Sequence, residues 1–134
     1  MYRNDYSCSE NPKDRDIIEW SVLDALLALR KPGAPDPRRR VIAIYIDSAP
    51  KLMETILASF AGSDSASLKK AAHSLKSASM NVGAKGLGNI CAALERIAME
   101  GTLYGGGELI EKAETSYKAV MASLEEALRS MSPN

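Results

Sequence analysis

The stretch SLKKAAHSLKSASMNVGAKGLGNICAALERIAM, residues 67–99, carries the clearest helical pattern in the sequence. Its apolar residues recur every three or four positions, which is the spacing of amphipathic helices. Gly83 stands between two such segments and ends the first of them. The stretch therefore predicts a pair of helices, at about residues 67–81 and 84–100, joined by a tight turn. Their predicted core faces are Leu68, Ala72, Leu75, Ser79 and Val82, and then Leu87, Ile90, Cys91, Leu94, Ile97 and Ala98.

The same periodicity continues on both sides of this stretch. Upstream, Asp36 and Pro37 form a helix start, with the aspartate as N-cap and the proline at the first helical position. Pro50 predicts a kink or two abutting helices, because a mid-helix proline removes a hydrogen bond. Downstream, a helix is predicted over about residues 108–131, after a glycine run at 105–107 to which we assign no function. The two core faces are Ile42, Tyr45, Ile46, Ala49, Met53, Ile56, Leu57 and Phe60, and Leu109, Ala113, Val120, Leu124 and Ala127.

A shorter helix is predicted at the front, from a capping box formed by Asp16 and Glu19 up to Lys31. Its apolar stripe is Ile17, Trp20, Leu23, Leu26 and Leu27. The predicted fold class is all-α, an antiparallel up-down four-helix bundle with a short additional N-terminal helix. Residues 1–15 are predicted to be a flexible tail, 16–131 the bundle and 132–134 a C-terminal tail.

Composition and charge exclude several classes of function. With 17 basic and 17 acidic residues, the chain has no electrostatic reason to bind nucleic acid or an anionic membrane surface. Cys8 and Cys91 lie in different contexts, so we expect no disulfide framework, and a buried free thiol suits a reducing compartment. One histidine and two cysteines make no convincing metal site. Because the sequence shows neither a signal peptide nor a membrane span, we expect a cytoplasmic protein.

His73 is the candidate reactive residue. On a helical wheel of about 100° per residue, it lies about 140° from Leu68 and so on the solvent side. The same sector holds Lys69, Lys76, Ser77 and Met80. A neutral imidazole is a good nucleophile toward phosphorus, and neighbouring ammonium groups would neutralise phosphoryl oxygens. Taken by itself, this pattern favours an ordinary surface histidine among solvated lysines.

A longer pattern around His73 resembles the signature of histidine-containing phosphotransfer domains. Residues 72–79 read AHSLKSAS, followed by Gly83-Ala84, Leu87, Cys91 and Leu94-Glu95. The family's signature is approximately A-H-x-L-K-G-S/A-S/A, then G-A, a leucine, and L-E one helix later. The resemblance extends over the helical pattern from about residue 17 to residue 129. It implies the bundle predicted above and a protein that relays a phosphoryl group.

The resemblance also implies roles for individual residues. His73 would accept the phosphoryl group through Nε2, Lys76 would assist electrostatically, and Gly83 would let the chain turn between two helices. Ser77 stands where the family usually has glycine, and its small side chain should still permit docking. We expect partner contacts at Lys69, Ser77 and Met80. The positions assigned to packing are Leu75, Leu87, Cys91 and Leu94.

The partners implied are response-regulator receiver domains and a hybrid sensor histidine kinase. The Mg²⁺ ion of the reaction is expected on the receiver, with no cofactor in this chain. The sequence has no P-loop, no carboxylate cluster for Mg²⁺ and no second catalytic group near His73. We therefore expect no autonomous kinase or phosphatase activity, no nucleic-acid partner, no membrane insertion and a monomeric state.

Two other functions stay open at this point. The histidine-acceptor domain of a sensor kinase also carries its histidine on a helix, but such domains typically follow it with an acidic residue, and here Ser74 follows His73. A helical adaptor without chemistry would use the face around His73 and Met80 only for docking. A metal or haem bundle is excluded because the ligands are lacking.

Overall fold

The structure is a computed structural model and describes residues 17–131. Helix α1 is short and continues into a 3₁₀ segment, and four long helices follow. Their bounds are Trp20–Asp24 for α1, Ala25–Leu29 for the 3₁₀ segment, Pro37–Ala61 for α2, Ser65–Asn81 for α3, Lys85–Glu100 for α4 and Gly107–Ser130 for α5. Residues 17–131 contain no strand, so the all-α prediction is confirmed there. The predicted tails, 1–15 and 132–134, lie outside the described residues.

The four long helices form a closed ring. Each packs against the next in chain order, and α2 also contacts α5. The turns at 62–64 and 82–84 are too short to carry the chain to the far end of the bundle, so each reverses its direction. This order of contacts is that of a four-helix bundle. It places α3 between α2 and α4, with one long face open to solvent.

The core consists mainly of the predicted apolar stripes. All five predicted core residues of α3 are buried, including Leu68 and Leu75. Ile90, Ile97, Leu109 and Ala127 are only half-buried, at the edge of the core. Ile110 is buried although the predicted stripe left it out. Each fully buried aliphatic side chain contributes about 1.5–3 kcal/mol relative to exposure, so this cluster dominates the stability of the bundle.

Ser79 is the one polar residue on the α3 core stripe, and it has a partner. Its hydroxyl group lies 2.9 Å from the hydroxyl group of Tyr45 on α2, and both residues are buried. Burial raises the pKa of Tyr45 to about 12, so the phenol stays protonated and available for this hydrogen bond. Because a buried hydroxyl without a partner is costly, the pair also fixes how α2 and α3 are aligned.

Helix α2 begins as predicted and does not break. The Asp36 side chain accepts a hydrogen bond of 3.0 Å from the backbone N–H of Arg38, with Pro37 in the first turn. Hydrogen bonds from the Arg38 guanidinium lower the pKa of Asp36 to about 2. The same guanidinium forms an ion pair with the Asp24 carboxylate of α1, with a nitrogen–oxygen distance of 2.7 Å. The helix continues through Pro50 as one element. Of the two predicted outcomes, two abutting helices are therefore excluded, and the kink stays a prediction.

The front helix is shorter than predicted, and its predicted capping box is wrong. Glu19 precedes the first helical residue, and its carboxylate pairs with Lys85 at 2.9 Å instead of capping the helix. Asp16 lies outside the described residues. From residue 25 the α-helix gives way to a 3₁₀ helix. Trp20 and Leu27 are each 37% exposed. The stripe is therefore only partly a core face, and Leu23 is its fully buried residue.

Gly83 is where the front segment meets the bundle. Its φ is +83°, and its carbonyl oxygen accepts a hydrogen bond of 2.8 Å from the backbone N–H of Glu19. A Cβ atom at Gly83 would lie 2.4 Å from the carbonyl oxygen of Glu19. The predicted turn therefore requires glycine at position 83 for two reasons. Its backbone is left-handed, and the Glu19 carbonyl group approaches too closely for a side chain.

Replacing Gly83 with alanine should reduce the free energy of unfolding by at least about 2 kcal/mol, from backbone strain plus the clash with Glu19. Urea denaturation measures the change. Gly101→Ala is the matched control, because Gly101 has a φ of +73° but nothing within 4 Å of its would-be Cβ. Equal losses in the two variants would show that the contact with Glu19 contributes nothing.

Candidate functional site

His73 lies in the middle of α3 and points away from the core. Its side chain is 59% exposed, while its neighbour Ala72 is fully buried. Ser74 and Ser77 are exposed on the same helix, so the side chains that follow the imidazole on its open side are small. The predicted exposure of His73 is confirmed, and a partner protein can reach the ring.

A carboxylate from the neighbouring helix holds one ring nitrogen. The Nδ1 atom of His73 lies 2.8 Å from Oε2 of Glu95, which α4 presents from a position only 15% exposed. An ionised carboxylate can only accept, so Nδ1 carries the proton and donates it to this hydrogen bond. The other ring nitrogen, Nε2, then holds the lone pair. The sequence did not predict any side chain in contact with the imidazole, and the structure places the Glu95 carboxylate there. The expectation that no second catalytic group lies near His73 stays a prediction.

Lys76 binds the same carboxylate. Its ammonium nitrogen lies 2.8 Å from Oε1 of Glu95, and its side chain is 30% exposed. The hydrogen bond from Lys76 is the main cause that lowers the pKa of Glu95, the bond to His73 adds to it, and burial opposes both. Glu95 is thus ionised at neutral pH, with both oxygens occupied. The three side chains form a chain from ammonium to carboxylate to imidazole.

This arrangement changes what Lys76 can do. The sequence predicts its ammonium beside the incoming phosphoryl group. In the structure the ammonium is bound to Glu95, whose other oxygen contacts Nδ1 of His73. Glu95 is the residue of this site that sequence reasoning missed. The available signal is its place in the Leu94-Glu95 pair of the family signature, a pair in which only Leu94 is assigned a role, in packing.

The other predicted site residues are divided between surface and packing. Lys69 and Ser77 are exposed on α3. Met80 is half-buried, and its side chain lies over Gly88, where an added Cβ would be 2.8 Å from the Met80 methyl group. The helical wheel predicts Met80 on the solvent side of α3, but in the structure its side chain lies where α3 packs against α4. It is the least accessible of the three predicted partner contacts.

Cys91 has no part in this site. It is fully buried, and burial raises the pKa of its thiol to about 12, which keeps it protonated and unreactive at neutral pH. Within residues 17–131, no three histidine, cysteine or acidic side chains lie close enough to hold a metal ion. No helix in that part of the chain is long and apolar enough to span a bilayer.

The fold and the site together are those of the helical-bundle class of histidine phosphotransfer proteins. The sequence model of the Hpt domain matches residues 40–131, which is more than half of the chain. The chain therefore belongs to the Hpt domain family, and its role is histidine phosphotransfer in two-component systems. The resemblance identified from the sequence is confirmed.

Two solved structures share this fold. One is histidine-containing phosphotransfer protein B from Pseudomonas aeruginosa PAO1, with a TM-score of 0.75 and 24% identity over 84% of this chain and 95% of that one. The other is the HPT domain of the Hpt sensor hybrid histidine kinase from Shewanella, with a TM-score of 0.75 and 17% identity over 87% and 97%. No curated protein matches the chain.

Proposed function

We propose that this protein is a phosphorelay intermediate that accepts a phosphoryl group on Nε2 of His73. The donor is the aspartyl phosphate of a receiver domain, or a kinase, and the acceptor is the aspartate of a response-regulator receiver. The observation that carries the proposal is the 2.8 Å hydrogen bond from Nδ1 of His73 to Glu95. It leaves Nε2 as the nucleophile on an exposed surface.

Phosphoryl transfer to His73 requires no loss of a proton from the site. The Nε2 lone pair forms the N–P bond while the P–O bond to the donor aspartate breaks, and the electron pair of that bond returns to the aspartate as a carboxylate. Because Nδ1 keeps its proton, the ring gains positive charge as the N–P bond forms. The Glu95 carboxylate stabilises that charge at 2.8 Å. Transfer to the next aspartate reverses these changes, as a carrier requires.

The partner is expected to supply the rest of the chemistry. Receiver domains would contribute the aspartate, the Mg²⁺ ion and most of the stabilisation of the phosphoryl oxygens. This chain contributes the nucleophile, its orientation and a docking surface. We place the protein in the cytoplasm as a monomer, which is consistent with the buried free thiol of Cys91.

The test is incubation with a panel of phosphorylated receiver domains, following radiolabel onto the chain. Label should pass from at least one receiver and should return to a second, unlabelled receiver. Mg²⁺ and ATP alone should leave the chain unlabelled. Autophosphorylation would contradict the proposal, and so would failure of every receiver to donate. The second result would favour the adaptor function.

Glu95 should act as a positioning residue for His73. Glu95→Ala removes both the acceptor at Nδ1 and the charge that stabilises the phosphorylated ring, so transfer should slow by about 100-fold. Lys76→Ala should slow it by about 10-fold, because it only loosens the carboxylate. Neither variant should lower the melting temperature by more than a few degrees, since none of the three side chains belongs to the buried core.

Two readouts separate this role from a general structural one. Stopped-flow transfer gives the rates, and ¹⁵N NMR of the imidazole gives the tautomer. In the parent the proton should be on Nδ1, and in Glu95→Ala the Nε2–H form should increase. Glu100→Gln, at an exposed position on the same helix, is the control and should change neither. An unchanged tautomer ratio in Glu95→Ala would contradict the role assigned to Glu95.

A further inference from the structure

The zero net charge of the chain conceals one strongly cationic segment. Residues 30–40 contain five of the 17 basic residues and one of the 17 acidic residues, the largest excess of positive charge in any stretch of this length. The basic residues are Arg30, Lys31, Arg38, Arg39 and Arg40, and the acidic residue is Asp36. The segment leads into α2 and forms its first turn, so this charge is concentrated at one end of the bundle.

A recess of about 360 Å³ lies where this segment meets the last turns of α5. Its lining residues are Pro35, Asp36, Arg39, Arg40, Ala43 and Leu128. Two guanidinium groups therefore stand beside an apolar surface. The recess belongs to the contact between α2 and α5, which is on the opposite side of the ring of helices from the contact between α3 and α4 that holds His73 and Glu95.

The one carboxylate in this α2–α5 recess does not neutralise its two arginines. Asp36 is occupied by Arg38, whose guanidinium donates to it over 2.6–3.1 Å and whose backbone N–H donates at 3.0 Å. Arg38 also holds the Asp24 carboxylate at 2.7 Å. Within residues 17–131, Arg39 and Arg40 form no ion pair. The recess therefore carries two positive charges that no residue in this part of the chain neutralises.

These charges and the apolar surface beside them define the class of ligand. A guanidinium group binds a carboxylate through two parallel hydrogen bonds, and Leu128 offers contact to an aliphatic side chain. An acidic protein segment presents both kinds of group next to each other. Nucleic acid fits less well, because such proteins typically contact about 6–10 phosphates along a basic surface. Here only two arginines are available, and the Asp36 carboxylate beside them would repel a phosphate.

We propose that the α2–α5 recess binds an acidic segment of a partner protein, with carboxylates on Arg39 and Arg40 and an aliphatic side chain against Leu128. The proposal goes beyond the proposed function and does not depend on it, because no reacting group lies in the recess. Since the recess and His73 belong to opposite sides of the ring, the segment and a receiver domain can be bound at the same time. The recess then holds the carrier near a partner without blocking phosphoryl transfer.

The test is an NMR titration of the ¹⁵N-labelled full chain with the peptide Glu-Glu-Leu-Glu-Glu-Leu, blocked at both ends, in physiological salt. Saturable shift changes should be confined to the residues that line the recess. Changing both Arg39→Gln and Arg40→Gln should weaken binding by at least about 10-fold, because the bidentate carboxylate contacts are lost. Ala43→Glu should weaken it to a similar extent while keeping both arginines, because it places a competing carboxylate in the recess.

The matched control removes two positive charges elsewhere. Lys51→Gln combined with Arg96→Gln should bind the peptide within about twofold of the parent, since both residues are exposed and neither lines the recess. A peptide of glutamate alone should bind at least about threefold more weakly than the peptide with leucine. Circular dichroism should show similar melting temperatures for the parent and all three variants, so that a loss of binding is not a loss of fold.

Four results would overturn the proposal. The first is a full chain that does not bind the peptide, and the second is equal affinity in the parent and the double arginine variant. The third is a set of shift changes spread over basic residues outside the recess, which would mean unspecific attraction. The fourth is a short single-stranded DNA that shifts the recess residues at lower concentration than the peptide does, which would assign the recess to nucleic acid.

Discussion

Replacing His73 with glutamine should abolish phosphoryl uptake from every phosphorylated receiver domain and leave the bundle folded. Glutamine has no nucleophilic nitrogen, and His73 is the only histidine of the chain. Its side chain is 59% exposed and faces away from the core, so the free energy of unfolding should change by less than about 0.5 kcal/mol. Radiolabel transfer and thermal melting, measured on the same preparation, check both parts of the prediction.

Two outcomes would contradict it. Label on the His73→Gln protein would mean that another residue accepts the phosphoryl group. Loss of helicity would mean that the imidazole and its bond to Glu95 are part of the packing, which the exposure of His73 does not suggest. A useful control is Ser74→Ala, because Ser74 is the exposed residue next to His73 and has no role in the proposed chemistry.

Ser77→Arg should slow transfer by at least about 100-fold without changing stability. Ser77 lies one turn after His73 on the open face, where a receiver must approach to bring its aspartate within about 3 Å of Nε2. An arginine there would hold the partner away, since reacting groups displaced by about 1 Å can already cost 100-fold in rate. Because the position is exposed, the melting temperature should stay close to that of the parent.

Ser77→Gly is the matched comparison, since glycine is the usual residue of the family at this place. It should dock and transfer normally, at a cost of up to about 1 kcal/mol in helix stability. Stopped-flow transfer and thermal melting on both variants complete the test. If Ser77→Arg reacts as fast as the parent, receivers do not approach over this turn.

The bundle could be predicted because its helices are strongly periodic. Leu68, Leu75 and Val82 recur at helical spacing on one face, and burial of that face is what stabilises α3. The exposure of His73 follows from the same wheel, because a residue about 140° from the core stripe cannot be buried by it. The core face of a helix and the exposure of a residue on it depend on that helix alone, so the amino-acid sequence is enough to predict them.

The pairing of Glu95 with His73 and Lys76 could not be predicted in this way. It depends on how α3 and α4 are aligned along their lengths, and periodicity within a helix carries no information on that alignment. The half-burial of Met80 over Gly88 depends on the same alignment.

The prediction for the front helix is wrong for a related reason. Its apolar residues do recur at helical spacing, but tertiary contacts of Glu19 with Gly83 and Lys85 hold this part of the chain. These contacts place the start of α1 after Glu19 and remove that side chain from any capping role. Local sequence signals were therefore overridden by the packing of the segment against the α3–α4 turn.

In the proposed function, Nε2 of His73 carries the phosphoryl group while Nδ1 stays bound to Glu95. A ¹H–¹⁵N correlation spectrum of the imidazole, recorded before and after phosphorylation by a receiver, tests this arrangement. We expect phosphorus to become coupled to Nε2 and the Nδ1 proton to persist in its hydrogen bond. Phosphorus on Nδ1, or a histidine spectrum unchanged while the protein carries label, would contradict it.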